Sequence, residues 1–194
     1  MKYIGSKLRH AKKILKIVLK DRKPDQYYVE PFVGGCNVID KVNNPRIGND
    51  SHTQLIAMWK AIQNGWIPPL EYTKEKYIDV KNHKNQYPPE LVAYMGFAGS
   101  FRAKWFGGYS GKFVRGNGRI EDTMTQAFNS MKKQRPYIVG IEFTNKSYLE
   151  MNIPPNSIIY CDPPYKNTLK YSTGNFNYDE FWDCVDEVGD GTSR

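Results

Sequence analysis

The segment of residues 26–50 restricts the fold more than any other part of the sequence. Its first residues, 26–29, form a short aromatic and aliphatic run that predicts a buried strand, and this run leads at once into the turn of residues 30–35. Two consecutive glycines in the turn permit tight backbone geometry. A second short strand follows over residues 46–49 and ends at Asp50. A strand, a glycine turn, a second strand and a terminal acid in this order are typical of a crossover that binds a ligand.

Helices and strands alternate over much of the chain. Apolar residues recur at helical spacing in residues 7–20, 51–65 and 178–188, and strands are predicted over residues 137–143 and 157–161. This order favours an α/β fold with a Rossmann-like, doubly wound parallel sheet, in which ligands bind beyond the carboxyl ends of the strands. The lysines of the first predicted helix have two interpretations. A solvated face is preferred over direct contact with phosphates.

The balance of charge narrows the class of partner. The chain of 194 residues has a net charge of +8 and a sequence pI near 9.2, which favours an anionic partner such as nucleic acid. Three widely spaced cysteines and three scattered histidines form no pattern of disulfides or metal ligands. The apolar run near the N-terminus is too short to cross a membrane or to act as a signal peptide. We therefore expect a soluble cytoplasmic protein without a metal or a membrane partner.

The composition changes in residues 67–135, where paired prolines punctuate helical segments. We expect a mainly helical inserted lobe there, between two parts of a main domain, residues 1–66 and 136–194. A glycine-rich loop in this lobe interleaves aromatic side chains with basic ones, which are Arg102, Lys104, Lys112, Arg115 and Arg119. Basic groups neutralise phosphates and aromatic rings stack on bases, a combination typical of nucleic-acid contact. The alternative is a surface loop whose aromatic side chains form a minor core.

The chemistry of the chain is indicated by Asp162-Pro163-Pro164-Tyr165, which directly follow a predicted strand. The two prolines stiffen the backbone and remove two amide donors, so carbonyl oxygens remain as acceptors, while the aspartate supplies a charged acceptor. Acceptors at both hydrogens of an exocyclic base amine can shift it toward tetrahedral geometry. Stacking on the tyrosine can hold a flipped base during in-line methyl transfer. The alternative is an ordinary proline-rich turn after a strand.

Four short segments occur in a fixed order along the chain. They are residues 2–7 (KYIGSK), 29–35 (VEPFVGG), 49–50 (ND) and 160–165 (YCDPPY), and residues 141–148 (IEFTNKSY) precede the last of them. Together they resemble the Dam-like (D12 class, alpha-group) family of DNA adenine methyltransferases. In that family the cofactor motif precedes the target-recognition lobe and the catalytic motif follows it. The resemblance covers the chain from end to end.

This resemblance implies an enzyme that uses S-adenosylmethionine to methylate the 6-amino group of adenine in double-stranded DNA. It implies that the cofactor is bound by Tyr3, Lys7, Glu30, Pro31, Phe32, Gly34, Gly35, Asp50 and Asp162. It also implies that the catalytic residues are Asp162, Pro163, Pro164 and Tyr165. Lys7 would engage the carboxylate region of the cofactor and Asp50 both ribose hydroxyls, the alternative for Asp50 being a helix N-cap. The inserted lobe would recognise the DNA target through its five basic residues.

The sequence departs from the family at three points. Ser6 and Cys36 stand where glycines are usual, and only 29 residues follow Tyr165. We therefore expect a C-terminally truncated chain with an incomplete sheet. Alternative functions are a catalytically silent DNA-binding remnant, or methylation of the 4-amino group of cytosine or of RNA. A restriction endonuclease partner and a phage or prophage setting would suit such a chain, whose residues specify neither its recognition sequence nor its oligomeric state.

Overall fold

Four parallel strands form the central sheet of the protein, whose computed structural model describes residues 1–114, 116–165 and 176–189. The strands in chain order are β1 (Tyr28–Glu30), β2 (Arg46–Asn49), β3 (Lys112–Val114), β4 (Ile120–Asp122), β5 (Ile141–Thr144) and β6 (Ile158–Ile159). The helices are α1 (Ala11–Val18), α2 (Thr53–Gln63), α3 (Lys74–Asn82), α4 (Pro89–Ala93), α5 (Thr123–Ile138) and α6 (Tyr178–Gly189). The sheet has the order β5-β2-β1-β6, and β3 and β4 form a separate antiparallel hairpin.

The register of the sheet brings the carboxyl ends of its strands to one edge. Val29 of β1 lies opposite Ile47 of β2 and Ile159 of β6. On the far side of β2, Asn49 lies opposite Thr144 of β5. Because all four strands run in the same direction, the segments that follow them lie side by side. These segments contain the glycine turn, the terminal acid and the proline motif. The predicted α/β fold with a parallel sheet is confirmed.

The end of α5 shows that one predicted strand boundary is wrong. The sequence pattern predicts a strand over residues 137–143, but α5 continues to Ile138 and only the last three of these residues lie in β5. Ile138 is fully buried. The Arg46 guanidinium donates hydrogen bonds to the carbonyl oxygens of Tyr137 and Val139, at 2.9 and 2.8 Å. These bonds satisfy acceptors at the helix end and so stabilise a helical turn in a segment whose side chains favour a strand.

The first helix is shorter than its lysine-rich pattern predicts. The pattern covers residues 7–20, whereas α1 begins at Ala11 and ends at Val18. Turns precede it, with Gly5 in the left-handed region at a φ of 74° and the His10 amide donating to the Lys7 carbonyl at 2.8 Å. The helix therefore starts one turn beyond the segment that the family resemblance assigns to the cofactor.

Helix α2 lies at the centre of the hydrophobic core. Its side chains Leu55, Met58 and Trp59 are fully buried, and it packs against α4. Tyr94, directly after α4, is also fully buried in the same core. Residues 67–135 therefore share one core with the rest of the described chain. The division into a main domain and an inserted lobe stays a prediction.

Candidate active site

A cavity of about 490 Å³ lies at the carboxyl edge of the sheet. Its walls are the segments that follow the four strands, together with residues 3–7 and the start of α6. All nine residues predicted to bind a cofactor line it, namely Tyr3, Lys7, Glu30, Pro31, Phe32, Gly34, Gly35, Asp50 and Asp162. Pro164 and Tyr165 line it as well. A volume of several hundred cubic ångströms is typical of sites for ligands of nucleoside size.

The glycine turn packs directly against Tyr3. A Cβ atom added to Gly34 would lie 2.8 Å from Cε1 of Tyr3, and one added to Gly35 would lie 2.7 Å from Cβ of Tyr3. Gly34 also has a φ of +46°, a conformation that favours glycine. The Trp59 indole N–H donates to the Gly34 carbonyl at 2.9 Å from below. The turn is thus fixed between a ring in the cavity and a ring in the core.

Asp50 organises the cavity wall beside the glycine turn. One carboxylate oxygen accepts from the Gly34 amide and the other from the His52 amide, each at 3.0 Å. Burial raises the pKa of Asp50 to about 6, and the two backbone hydrogen bonds oppose that rise. The N-cap of α2 is His52, whose Nδ1 accepts from the Leu55 amide at 3.3 Å. The N-cap interpretation of Asp50 is therefore wrong, and its carboxylate faces the cavity.

His52 links this wall to the inserted segment. Its ring centroid lies 4.3 Å from that of Trp105 and 5.0 Å from that of Phe97, both in edge-on arrangements. Burial lowers the pKa of His52 to about 4, which keeps the ring neutral and its Nδ1 able to accept. His52 thus caps α2 from a buried position.

Glu30 ends β1 at the floor of the cavity. It is buried, and one of its carboxyl oxygens accepts from the Tyr28 hydroxyl at 2.8 Å. Burial raises the pKa of Glu30 to about 8, with the charges of Asp40 and Asp162 adding to the rise and the Tyr28 hydroxyl opposing it. Most Glu30 carboxyls are therefore protonated at neutral pH, so the floor carries little negative charge.

Lys7 and Asp162 form an ion pair across the cavity. The Lys7 ammonium donates to both carboxylate oxygens of Asp162, at 2.7 and 2.6 Å, and to the Gly5 carbonyl at 3.0 Å. Partial burial opposes the charge of Lys7, but hydrogen bonds and attraction from Asp162 and Tyr165 outweigh it and raise the lysine pKa. The Tyr165 hydroxyl donates to Asp162 at 3.2 Å, and its ring centroid lies 4.8 Å from the ammonium. The predicted cofactor lysine thus contacts the predicted catalytic acid.

The two prolines of the motif have different surroundings. The Pro164 carbonyl accepts from the Tyr178 hydroxyl of α6 at 2.9 Å. The Pro163 carbonyl, in contrast, accepts no hydrogen bond from any described residue. Among the described residues, the Pro164 carbonyl is therefore held by a hydrogen bond and the Pro163 carbonyl is not. Asp162, Pro164 and Tyr165 line the cavity but Pro163 does not, so the role of its carbonyl as an acceptor stays a prediction.

An aromatic wall closes the cavity at α6. Phe32 lies 5.4 Å from Tyr148, 5.7 Å from Phe176 and 5.9 Å from Phe181, measured between ring centroids. The Tyr148 hydroxyl is buried and has no hydrogen-bond partner among the described residues. Sequence reasoning assigned a role to Phe32 alone among these rings. The position of Phe181 on the apolar side of the helix predicted over residues 178–188 was the sequence feature that could have indicated its packing.

The comparison with known families agrees with this geometry. A model of the D12 class N6 adenine-specific DNA methyltransferases matches residues 3–184 of the 194. The chain belongs to this family. The family methylates adenine in DNA, and it implies S-adenosylmethionine as the methyl donor. Its matched region contains the glycine turn, Asp50 and the proline motif in one stretch.

In this D12-class methyltransferase, the basic residues predicted to contact DNA are exposed where the structure describes them. Arg102 and Lys104 lie in the segment after the π-helical turn Tyr94–Ala98, while Lys112 is the first residue of β3 and Arg119 directly precedes β4. Arg115 lies outside the described residues. Lys112 pairs with Glu71 at 3.0 Å and with Asp122 at 3.5 Å, so its charge is partly compensated within the protein.

The aromatic residues of the same loop behave differently from its basic ones. Phe106 is buried, Trp105 packs 4.7 Å from Phe97, and the Tyr109 hydroxyl donates to the Tyr72 carbonyl at 3.0 Å. Phe101 is the exception, with about half of its surface exposed. The alternative of a minor core therefore describes three of the four aromatic side chains. Of these four rings, Phe101 is the one with the exposure that stacking on a base requires.

Cys36 occupies a left-handed position directly after the glycine turn of this D12-class methyltransferase. Its φ is 54°, a conformation that glycine adopts more easily, and its side chain is fully buried. Burial also raises the pKa of the Cys36 thiol well above its ordinary value, which makes it unreactive. These surroundings are typical of a small side chain that packs beneath the turn.

The described residues form neither a metal-binding cluster nor a membrane span. Within residues 1–114, 116–165 and 176–189, no group of three histidine, cysteine or acidic side chains is arranged to hold a metal ion. In the same ranges, the longest apolar helix is too short to span a membrane.

Proposed function

We propose that the cavity binds S-adenosylmethionine and that Asp162, Pro163, Pro164 and Tyr165 methylate the 6-amino group of a flipped adenine in double-stranded DNA. One observation carries the proposal. Asp162 lies in the same cavity as the Asp50 carboxylate and the glycine turn, at the edge where parallel strands end. A donor held by the turn and an amine held by the proline motif would therefore meet within one site.

The residues present fit the proposed methyl donor. Gly34 and Gly35 leave no room for side chains beside Tyr3, so the turn stays narrow and its backbone open to a ligand. The Asp50 carboxylate suits two ribose hydroxyls, because each oxygen retains a lone pair after accepting its backbone amide. The buried Tyr148 hydroxyl offers a further polar group without a partner in the described chain.

The chemistry requires an amine activated without a strong base. S-adenosylmethionine supplies an electrophilic methyl group on a sulfonium sulfur. Asp162 and the Pro163 carbonyl would accept hydrogen bonds from the two hydrogens of the adenine amine and so make its lone pair available to the methyl group. As the N–C bond forms, the S–C bond of the donor would break, S-adenosylhomocysteine would leave, and the amine would release one proton. Tyr165 stacks on the flipped base. Lys7 holds the Asp162 carboxylate in position until the amine arrives, through hydrogen bonds to both of its oxygens.

The lobe residues Arg102, Lys104, Lys112, Arg115 and Arg119 complete the proposal as contacts to DNA phosphates. The four described ones are exposed, as such contacts require. A cytoplasmic location follows from a DNA substrate. A restriction endonuclease partner and a phage or prophage origin stay predictions from the sequence.

We expect the affinity for S-adenosylmethionine to fall as the pH decreases through about 6, the pKa to which burial raises Asp50. Protonation converts one acceptor oxygen into a donor and so weakens the contact with the ribose hydroxyls. The stability of the free protein should change in the opposite direction. The raised pKa means that the contribution of Asp50 to folding is present at low pH and is lost as the pH rises through 6.

Calorimetric titration of S-adenosylmethionine from pH about 5 to about 8 measures this dependence. The matched control is Asp50→Asn, which keeps the shape of the side chain and does not titrate in this range. The variant should bind weakly at every pH. A pH profile of the same steepness in the variant would assign the titration to another group.

Transfer of labelled methyl groups to unmethylated DNA, followed by mass analysis of the nucleosides, tests the proposed function. We expect the methylated nucleoside to be N6-methyl-2′-deoxyadenosine. A product methylated on cytosine, or methylation of RNA alone, would show that the substrate is not adenine in DNA. Binding of DNA without any transfer would instead support the interpretation as a silent DNA-binding protein.

A further inference from the structure

The positive charge of the protein is concentrated at its N-terminus. Residues 1–23 contain nine lysines and arginines and one aspartate, a net charge of +8, which equals the net charge of the whole chain. The remaining residues carry equal numbers of basic and acidic side chains. Only Lys7 of this basic segment has a role in the proposed chemistry. The other charges therefore need a separate explanation.

Most of these charges lie on one side of α1 and its flanks. Ala11 and Leu15 are buried against the core. The opposite side presents exposed basic residues at spacings of three and four, which places them next to one another along the surface. We call this set the lysine face, and it consists of Arg9, Lys12, Lys13, Lys16 and Lys20.

The lysine face receives no electrostatic compensation from the described protein. None of its five side chains forms an ion pair or a hydrogen bond with another described residue. Helix α1 has no acidic residue in its first turn, and its N-cap His10 makes no side-chain capping bond. Like charges four residues apart destabilise a helix by about 0.2–0.5 kcal/mol per pair. The face therefore costs stability in the free protein, a cost that an anionic ligand would offset.

The lysine face begins at the rim of the cavity. Lys7 reaches Asp162 inside the cavity, and the Lys7 carbonyl accepts from the amide of His10, the N-cap of α1. The eight residues of α1 span about 12 Å, which on a DNA duplex corresponds to about seven phosphate charges. A duplex positioned over the cavity can thus extend along the helix.

We propose that the lysine face binds the phosphate backbone of the DNA duplex beside the flipped adenine, as a second anchor independent of the inserted lobe. The proposal rests on the proposed function, because it takes DNA as the substrate. A lipid surface is a poorer partner, since Ala11 and Leu15 are buried and Ile17 is the one apolar side chain of α1 that is largely exposed, too little to insert into a bilayer. Contacts to phosphates do not depend on the base sequence, so the lysine face should raise the affinity for any DNA duplex.

Replacing Lys12, Lys13, Lys16 and Lys20 with glutamine tests the proposal in the full chain. We expect the affinity for unmethylated duplex DNA to fall at least about tenfold and the log–log salt slope to shrink by about 2–4, since each phosphate contact contributes about 0.9. In steady-state methylation, KM for DNA should rise while kcat changes less than about twofold. The melting temperature should not fall, because the substitutions remove repulsion.

The matched control replaces four exposed lysines elsewhere with glutamine, namely Lys60, Lys74, Lys81 and Lys133. It removes the same net charge, so it should weaken binding less than about threefold if only long-range attraction is lost. Equal losses in both variants would overturn the proposal. Unchanged DNA binding in the α1 variant, with loss of its binding to phosphatidylglycerol vesicles, would also overturn it.

The two proposals can fail separately. If the wild-type protein methylates DNA and the α1 variant binds duplexes as well as the wild type does, the lysine face is refuted and the proposed function stands. If the wild-type protein binds duplexes through the lysine face but transfers no methyl group, the proposed function is refuted and the surface stands.

Discussion

Replacing Asp162 with alanine should lower the rate of methyl transfer by about 10³-fold, the size of loss that follows removal of a positioned polar group from a reacting centre. The lone pair of the adenine amine is delocalised into the ring, so it attacks only when acceptors hold both of its hydrogens. In the proposed mechanism, Asp162 supplies the charged acceptor and the Pro163 carbonyl supplies the neutral one. Single-turnover transfer of labelled methyl groups to unmethylated duplex DNA measures the rate, and calorimetry measures the affinity for S-adenosylmethionine.

Two control variants distinguish the loss of a catalytic acceptor at Asp162 from the mere loss of one negative charge. Asp162→Asn keeps a neutral acceptor oxygen and should show an intermediate rate. Asp21→Ala removes the same charge from an exposed site outside the cavity and should react as the wild type does. The Lys7 and Asp162 side chains are only 20% and 23% exposed, so Asp162→Ala leaves the Lys7 charge unpaired in a partly buried site and should also lower stability, which chemical denaturation measures. A folded Asp162→Ala protein that reacts within about tenfold of the wild-type rate would refute the assignment.

Local sequence patterns predicted the parts of the site that follow strands. The glycine turn and Asp50 each come directly after a short strand, and strand 46–49 has the predicted bounds. In a parallel sheet, this placement alone brings both features to one edge. The sequence therefore predicted which segments line the cavity before any contact between them was known.

Contacts between distant segments could not be predicted in the same way. Lys7 and Asp162 are 155 residues apart, and nothing in either motif specifies that they pair. The last turn of α5 depends on Arg46, whose guanidinium satisfies carbonyl groups at the helix end. Likewise, Trp105 and Tyr109 look like stacking residues in a basic loop, but the core has space for their rings. In each case a tertiary contact decides between local alternatives.

Replacing Gly34 with alanine should destabilise the protein by about 2–4 kcal/mol, the sum of a backbone strain and an overpacking penalty. The added Cβ would lie 2.8 Å from Cε1 of Tyr3, and the φ of +46° is unfavourable for alanine. The turn must shift to relieve the contact. That shift disturbs the amide hydrogen bond to Asp50, so affinity for S-adenosylmethionine should fall at least about tenfold. Chemical denaturation and calorimetry measure the two effects.

A second glycine isolates the contribution of Tyr3. Gly118 has a φ of +76° and nothing within 4 Å of an added Cβ, so Gly118→Ala carries only the backbone strain, about 1 kcal/mol. In a Tyr3→Ala background, which removes the ring from the contact, Gly34→Ala should cost about the same as Gly118→Ala. Equal costs for Gly34→Ala and Gly118→Ala in the wild-type background would show that Tyr3 does not hold the turn. Affinity for the methyl donor would then depend on the Asp50 hydrogen bond without support from the Tyr3 ring.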